Sequence, residues 1–92
     1  MFAWDAGKEA INLAKHGVAF DEAATIFDDP YFMIFEDPDH SLGEYRYLIV
    51  GQSAKLRLLV VSYYYTDRGE TTRIISAREA TKRERRSYEE KN

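Results

Sequence analysis

Apolar positions recur with helical spacing near both ends of the chain and with strand-like spacing between them. Trp4-Asp5 opens a first helix, with Asp5 as its N-cap and Gly17 as the residue that ends it after Lys15 and His16. Ala10, Ile11 and Ala14 give this segment an apolar stripe. Asp21 is the expected N-cap of a second helix that turns Ala23, Ala24, Ile26 and Phe27 toward the core. Asp29-Pro30 stops it, because a residue before proline avoids the helical region. Four segments then read as strands: Tyr31 to Phe35, Tyr45 to Gln52, Leu56 to Thr66 and Glu70 to Ala77, rich in β-branched and aromatic residues. A polar loop, Glu36 to Gly43, separates the first two, and hairpin-length turns around Ser53-Ala54-Lys55 and Asp67-Arg68-Gly69 join the others. Thr81 and Glu84 fit a capping box at the start of a last helix, on which Tyr88 is placed to pack on the sheet. The expected class is α+β: two N-terminal helices, a four-stranded antiparallel sheet and a C-terminal helix, with the helices covering one face.

The chain has 92 residues, one domain over 1–92 by length. Its 45% apolar and 14% aromatic content is that of a folding sequence. With no cysteine, disulfides, thiolate chemistry and cysteine-type zinc sites are excluded. No apolar run approaches the roughly 20 residues of a membrane helix, and the opening residues do not read as a signal peptide. A cytoplasmic location with no membrane partner is expected. The net charge of −3 argues weakly against nucleic acid, but its distribution is uneven. Met1 to Asp67 carry 5 basic and 11 acidic residues, a net of −6, whereas Arg68 to Asn92 carry 8 basic and 5 acidic, a net of +3. Salt screens charge over about 10 Å, so a phosphate senses the local basic patch more than the total.

Three stretches carry a family resemblance. FAWDAGKEAINLAKHGVAFDEAATIFDDP resembles the opening of the BrnT family, W-D-x-x-K, then N-x-x-K-H-G-V-x-F-x-E-A, then F-x-D-P. DPDHSLGEYRYLIVGQS is similar to that family's D-x-x-H-S-x-G-E-x-R-x-x-x-x-G, and TRIISAREATKRERRSYEE to its R-I-I-S-A-R-x-A-T-x-x-E-R-x-x-Y. The three lie in order from Trp4 to Glu90. The resemblance implies a RelE-like fold and a type II toxin–antitoxin system. It further implies RNA cleavage without metal or other cofactor, inhibition of translation, and neutralisation by a BrnA-like antitoxin that alone touches operator DNA.

Such cleavage uses the substrate's own 2′-hydroxyl as nucleophile. It needs a base for that proton, cations for the charge gathering on phosphorus, and an acid for the departing 5′-oxygen. Arg73 and Arg78 are the expected phosphate contacts, since guanidinium offers a bidentate fork. Strand alternation puts them on opposite faces, so they converge only if the chain turns at Ala77. Structural roles, an edge charge for Arg73 and a salt bridge for Arg78, compete. His16 is the only helical histidine and suits proton transfer, although a cation also favours a helix C-terminus. Glu84 is a possible base already accounted for by the capping box. Lys8, Arg46, Lys82 and Arg83 are further substrate-binding candidates; Lys8 and His16 lie about 12 Å apart along the helix, too far to grip one phosphate together. Glu44 and Arg46 fall on one strand face and can pair or join the site. Asp37, Asp39 and His40 invite a metal reading, but a loop makes a weak scaffold and no metal is expected. Of Tyr63, Tyr64 and Tyr65, which alternate faces, at least one is exposed and able to stack a base. Two other functions fit the same features: a non-catalytic co-repressor that holds the antitoxin on DNA, and a toxin acting on a protein such as gyrase.

Overall fold

Asp5 and Gly17 bracket helix α1 (Ala6–His16) as their residue types predict. The Asp5 carboxylate accepts from the Lys8 N–H at 2.9 Å, and Gly17 takes a left-handed φ of 69° that a side chain disfavours. The computed structural model describes residues 1–37 and 45–91. After α1 come α2 (Phe20–Thr25), a 3₁₀ turn (Ile26–Asp28), strands β2 (Met33–Glu36), β3 (Tyr47–Gln52), β4 (Leu58–Thr66) and β5 (Thr71–Glu79), and α3 (Lys82–Glu90); the two-residue strand β1 (Phe2–Ala3) precedes α1.

The sheet has five strands in the order β1-β5-β4-β3-β2, not four. β2 to β5 form the expected antiparallel meander. β1 adds a parallel strand beside β5, with Phe2 opposite Thr72 and Ala3 opposite Arg73, and so makes the sheet mixed. Two residues carry no periodic signal, which is why the sequence conceals this strand.

Three further expectations are corrected. Asp21 is not the cap of α2: the N-cap is Ala19, and Asp21 lies in the first turn. The orphan N–H of Phe20 is met instead by the Glu9 carboxylate of α1 at 2.9 Å, so the cap comes from a neighbouring helix. The stripe of Ala10, Ile11 and Ala14 does not face the core; all three are exposed, and the buried residue of α1 is Asn12. Finally, the helices cover both faces of the sheet. Val18, Phe20, Ala23 and Ile26 pack on Ile49, Leu59, Val61, Tyr63, Ile74 and Ala77 of one face. Tyr88 and Ala80 pack on Leu48, Val50, Leu58 and Val60 of the other.

Asn12 closes an open edge of β5. Its side-chain amide pairs with both backbone groups of Ala77, donating to the carbonyl at 2.8 Å and accepting from the N–H at 3.0 Å. It donates again to the Val18 carbonyl at 3.0 Å. A buried amide thus stands in for a neighbouring strand and satisfies groups that would otherwise be orphaned.

Two buried carboxylates tie elements together. Glu22 accepts from Ser53 Oγ at 2.7 Å and from Arg57 Nε at 2.9 Å, while Arg57 also reaches the Gly17 carbonyl at 3.1 Å. Asp29 accepts from the N–H groups of Tyr31 and Gln52 at 2.9 and 2.7 Å and from the Tyr88 hydroxyl at 2.6 Å. The last bond links α3 to the opposite layer. Burial, with the Asp29 carboxylate adding to it, pushes the Tyr88 phenol up to about 12. Gly51 permits the close approach of β3 to the 3₁₀ turn, since a Cβ there would sit 3.1 Å from the Ile26 carbonyl oxygen.

The capping box of α3 forms as read: Thr81 Oγ1 accepts from the Glu84 N–H at 3.2 Å, and Glu84 accepts from the Thr81 N–H at 2.8 Å. Thr81→Ala should therefore cost about 1 kcal/mol. Urea denaturation reads this directly, and an unchanged midpoint would mean that the hydroxyl contributes nothing to starting the helix.

Candidate functional site

A β-bulge settles where the two central arginines point. Along β4 and β5, Ser62 lies opposite Ser76 but Tyr63 lies opposite Ile74, so Ile75 is an extra residue. The bulge resets the alternation. Arg73 stands opposite Tyr64 and Arg78 opposite Val60, both even-numbered positions of β4, and Val60 packs beneath α3. The two arginines therefore share the α3 face, about 13 Å apart along the strand. No turn at Ala77 is needed: β5 runs on to Glu79.

The two differ in their surroundings. Arg78 makes a bidentate pair with Glu84, at 2.8 and 2.9 Å. Arg73 is half-buried, and its side chain has no hydrogen bond or ion pair among the described residues. The Arg78 guanidinium, helped by the Thr81 N–H and opposed by burial, holds the Glu84 carboxyl down at about 2. A carboxylate held there is a poor proton acceptor at neutral pH; its evident work is to cap α3 and orient Arg78. Lys82 and Arg83 follow in the first turn of α3, where the helix dipole already favours anions. Arg83, Glu84 and Ser87 rim a cleft of about 280 Å³ floored by Phe35, Leu48, Val50 and Val60.

This pairing sets an acid response. Glu84 titrates below its ordinary 4.5, and the Arg57 guanidinium likewise holds Glu22 below that value. A carboxyl depressed in the folded state stabilises fully above its unfolded value, and that gain disappears as pH falls toward the folded one. Stability should therefore fall between about pH 5 and pH 2. Melting curves should show Glu84→Gln less stable than the parent at pH 7, with the gap closing toward pH 2. A constant gap would separate the effect from this ionisation.

On the other side of β5, Lys8, Lys15 and His16 of α1 surround a shallow depression of about 200 Å³ with Ile75 and Ser76. Ser76 also stands in the register between Arg73 and Arg78. Ile75 and Ser76 of the bulge thus line the depression of the α1 cations, while Arg73 and Arg78 flank them along β5 without lining it. Lys8 and His16, distant along the helix, still line one depression. Lys15, which sequence reading passed over as a helix-end charge, lies with them. Its spacing from Lys8, seven residues or two helical turns, was the available signal.

The remaining candidates are dispersed. Arg46, half-buried just before β3, is already held in an interaction within the fold. His40, Asp39 and Glu44 lie outside the described residues, and with them the metal reading of that loop and the Glu44–Arg46 pair. Tyr63 is fully buried, and its hydroxyl finds no partner among the described residues. Tyr65 is 47% exposed. Tyr64, half-buried opposite Arg73, is the tyrosine that shares the arginine face.

Comparison with known proteins adds three findings. The profile of a family described as "Ribonuclease toxin, BrnT, of type II toxin-antitoxin system" matches residues 4–84. The crystal structure of the Brucella abortus ribonuclease toxin BrnT superposes with a TM-score of 0.68 at 24% identity, over 89% of this chain and 99% of that one. That likeness bears on the fold: three helices and a five-stranded mixed sheet. No curated protein matches the sequence.

Proposed function

The chain belongs to the BrnT family of ribonuclease toxins of type II toxin–antitoxin systems, and from that membership we propose that it is an endoribonuclease acting at the bulge of β5. In this reading the chain is one toxin domain. The 2′-oxygen of the substrate attacks phosphorus, the bond to the 5′-oxygen breaks, and a 2′,3′-cyclic phosphate and a 5′-hydroxyl result. Arg73 supports the charge that builds on the phosphoryl oxygens. Arg78, its fork held by Glu84, adds cationic charge to the same face. Lys8, Lys15, Lys82 and Arg83 hold the flanking backbone by charge. In this reading His16 carries the 2′-hydroxyl proton to the departing 5′-oxygen, and Tyr64 offers a ring to a base. The chemistry runs on these side chains without a metal.

The observation that carries this reading is the bulge, which brings Arg73 and Arg78 onto one face and whose own residues, Ile75 and Ser76, line the depression of Lys8, Lys15 and His16. The biological consequence is arrested translation in the cytoplasm, reversed by a BrnA-like antitoxin that links the complex to operator DNA. The test is purified chain incubated with RNA in EDTA. Cleavage leaving cyclic-phosphate ends is expected, as is growth arrest on expression of the chain alone. Intact RNA with a folded protein would remove the ribonuclease reading and leave a co-repressor or a protein-directed toxin.

A further inference from the structure

Strand β2 is one of the two outer edges of the sheet and, among the described residues, pairs only with β3. It ends an unbroken apolar run, Tyr31-Phe32-Met33-Ile34-Phe35. Tyr31, Phe32, Ile34 and Phe35 are each between 43% and 58% exposed. Soluble proteins ordinarily blunt such an edge with lysine, proline, a bulge or a covering segment, because its outward N–H and C=O groups template a further strand. Met33–Phe35 carries no charge, proline or bulge, and Glu36 is the one charged side chain of this four-residue strand. Two hollows adjoin it. One, of about 390 Å³, runs along Pro30 to Phe35 and reaches Lys91. The other is the cleft under α3, whose floor includes Met33 and Phe35.

We propose that this edge is the docking site of the antitoxin, which adds an extended, basic and apolar segment as a sixth strand beside β2. The inference rests on membership of a toxin–antitoxin family, not on the ribonuclease reading. Three observations point to this occupant. A strand added at the edge presents alternate side chains to opposite faces, so one set drops into the α3 cleft and the other covers Ile34 and Phe32. The run is flanked by acidic residues, with Asp28 and Glu36 exposed and Asp37 following, which complements a basic segment. A second copy of this chain would bring the same acidic flanks to its own, a like-charge arrangement that works against edge-to-edge pairing of two toxins. Continuity of the cleft with Arg83 and Glu84 also explains how a segment docked at β2 reaches the rim of the basic face.

The experiment uses the full chain and its cognate antitoxin. Hydrogen exchange is followed at the amides of Met33–Glu36, free and in complex, and affinity is measured by calorimetry for the parent, Ile34→Glu and Glu36→Lys. Both side chains are exposed on an edge strand, so both variants should melt within a few degrees of the parent. Protection of these amides on binding, with at least tenfold weaker affinity for each variant, is the expected result. Ile34→Glu should also remain toxic in cells that express the antitoxin. Parent-like affinity for folded Ile34→Glu, amides left unprotected in the complex, or no binding by the folded parent would overturn the proposal. So would a chain that dimerises alone through protected β2 amides, since the occupant would then be a second copy. The binding readouts stand apart from RNA cleavage, so loss of the ribonuclease reading leaves them intact.

Discussion

Asn12→Ala is expected to destabilise the protein by about 3 kcal/mol or more and to lower its melting temperature by about 15 °C. The residue is 5% exposed, and its amide satisfies the Ala77 N–H, the Ala77 carbonyl and the Val18 carbonyl. Truncation leaves these three buried backbone groups without partners, and each orphaned group costs about 1–3 kcal/mol unless water replaces the lost bond. For a domain whose whole stability is about 5–15 kcal/mol, that is a large fraction. Asn12→Asp isolates the cause. It keeps the oxygen that accepts from Ala77 but turns a carboxylate oxygen toward the two carbonyls, so it should be at least as damaging as alanine. Thermal and urea denaturation measure both. A loss under about 1 kcal/mol for Asn12→Ala would show that water closes the β5 edge as well as the amide does.

Arg73→Ala should lower RNA cleavage by about a hundredfold or more, by analogy with removal of one preorganised donor to a developing anion. It should leave the melting temperature nearly unchanged, because the Arg73 side chain makes no ion pair or hydrogen bond among the described residues. Lysine should rescue only in part, since an ammonium lacks the planar fork. Arg78→Ala should impair both properties, because it strips Glu84 of its bidentate partner and weakens the join between β5 and α3. Initial rates and melting curves for the two variants separate catalysis from support. A folded Arg73→Ala protein that cleaves at the parent rate would take Arg73 out of the site. Equal loss of folding and cleavage in both variants would make the basic face structural.

Much of the local architecture was legible because it depends on near neighbours. Asp5, Gly17, Asp29-Pro30 and the Thr81–Glu84 box act within a few residues, and each does what its type predicts. Asn12 and Glu9 were not legible in that way. Their partners, Ala77 and Phe20, lie 65 and 11 residues away, and the sequence offers no geometry that joins them. The exposed stripe of α1 misleads for the same reason: the helix is held by a buried amide, its caps and Glu9, not by apolar burial. Among the site candidates, residue type and charge asymmetry pointed to Arg73, Arg78, Lys8 and His16, while their mutual placement stayed hidden.

Local sequence was enough for the order of the helices and of the antiparallel meander, the capped start of α3, the basic C-terminal segment and the family. These rest on short-range chemistry and on motifs read in order. Tertiary structure alone decided that a fifth strand pairs in parallel, that helices lie on both faces, and that Arg73 and Arg78 share one of them. The reason is register. One extra residue at Ile75 inverts the alternation for everything beyond it, and whether a strand absorbs such a residue depends on the strand it pairs with, which the local pattern does not contain.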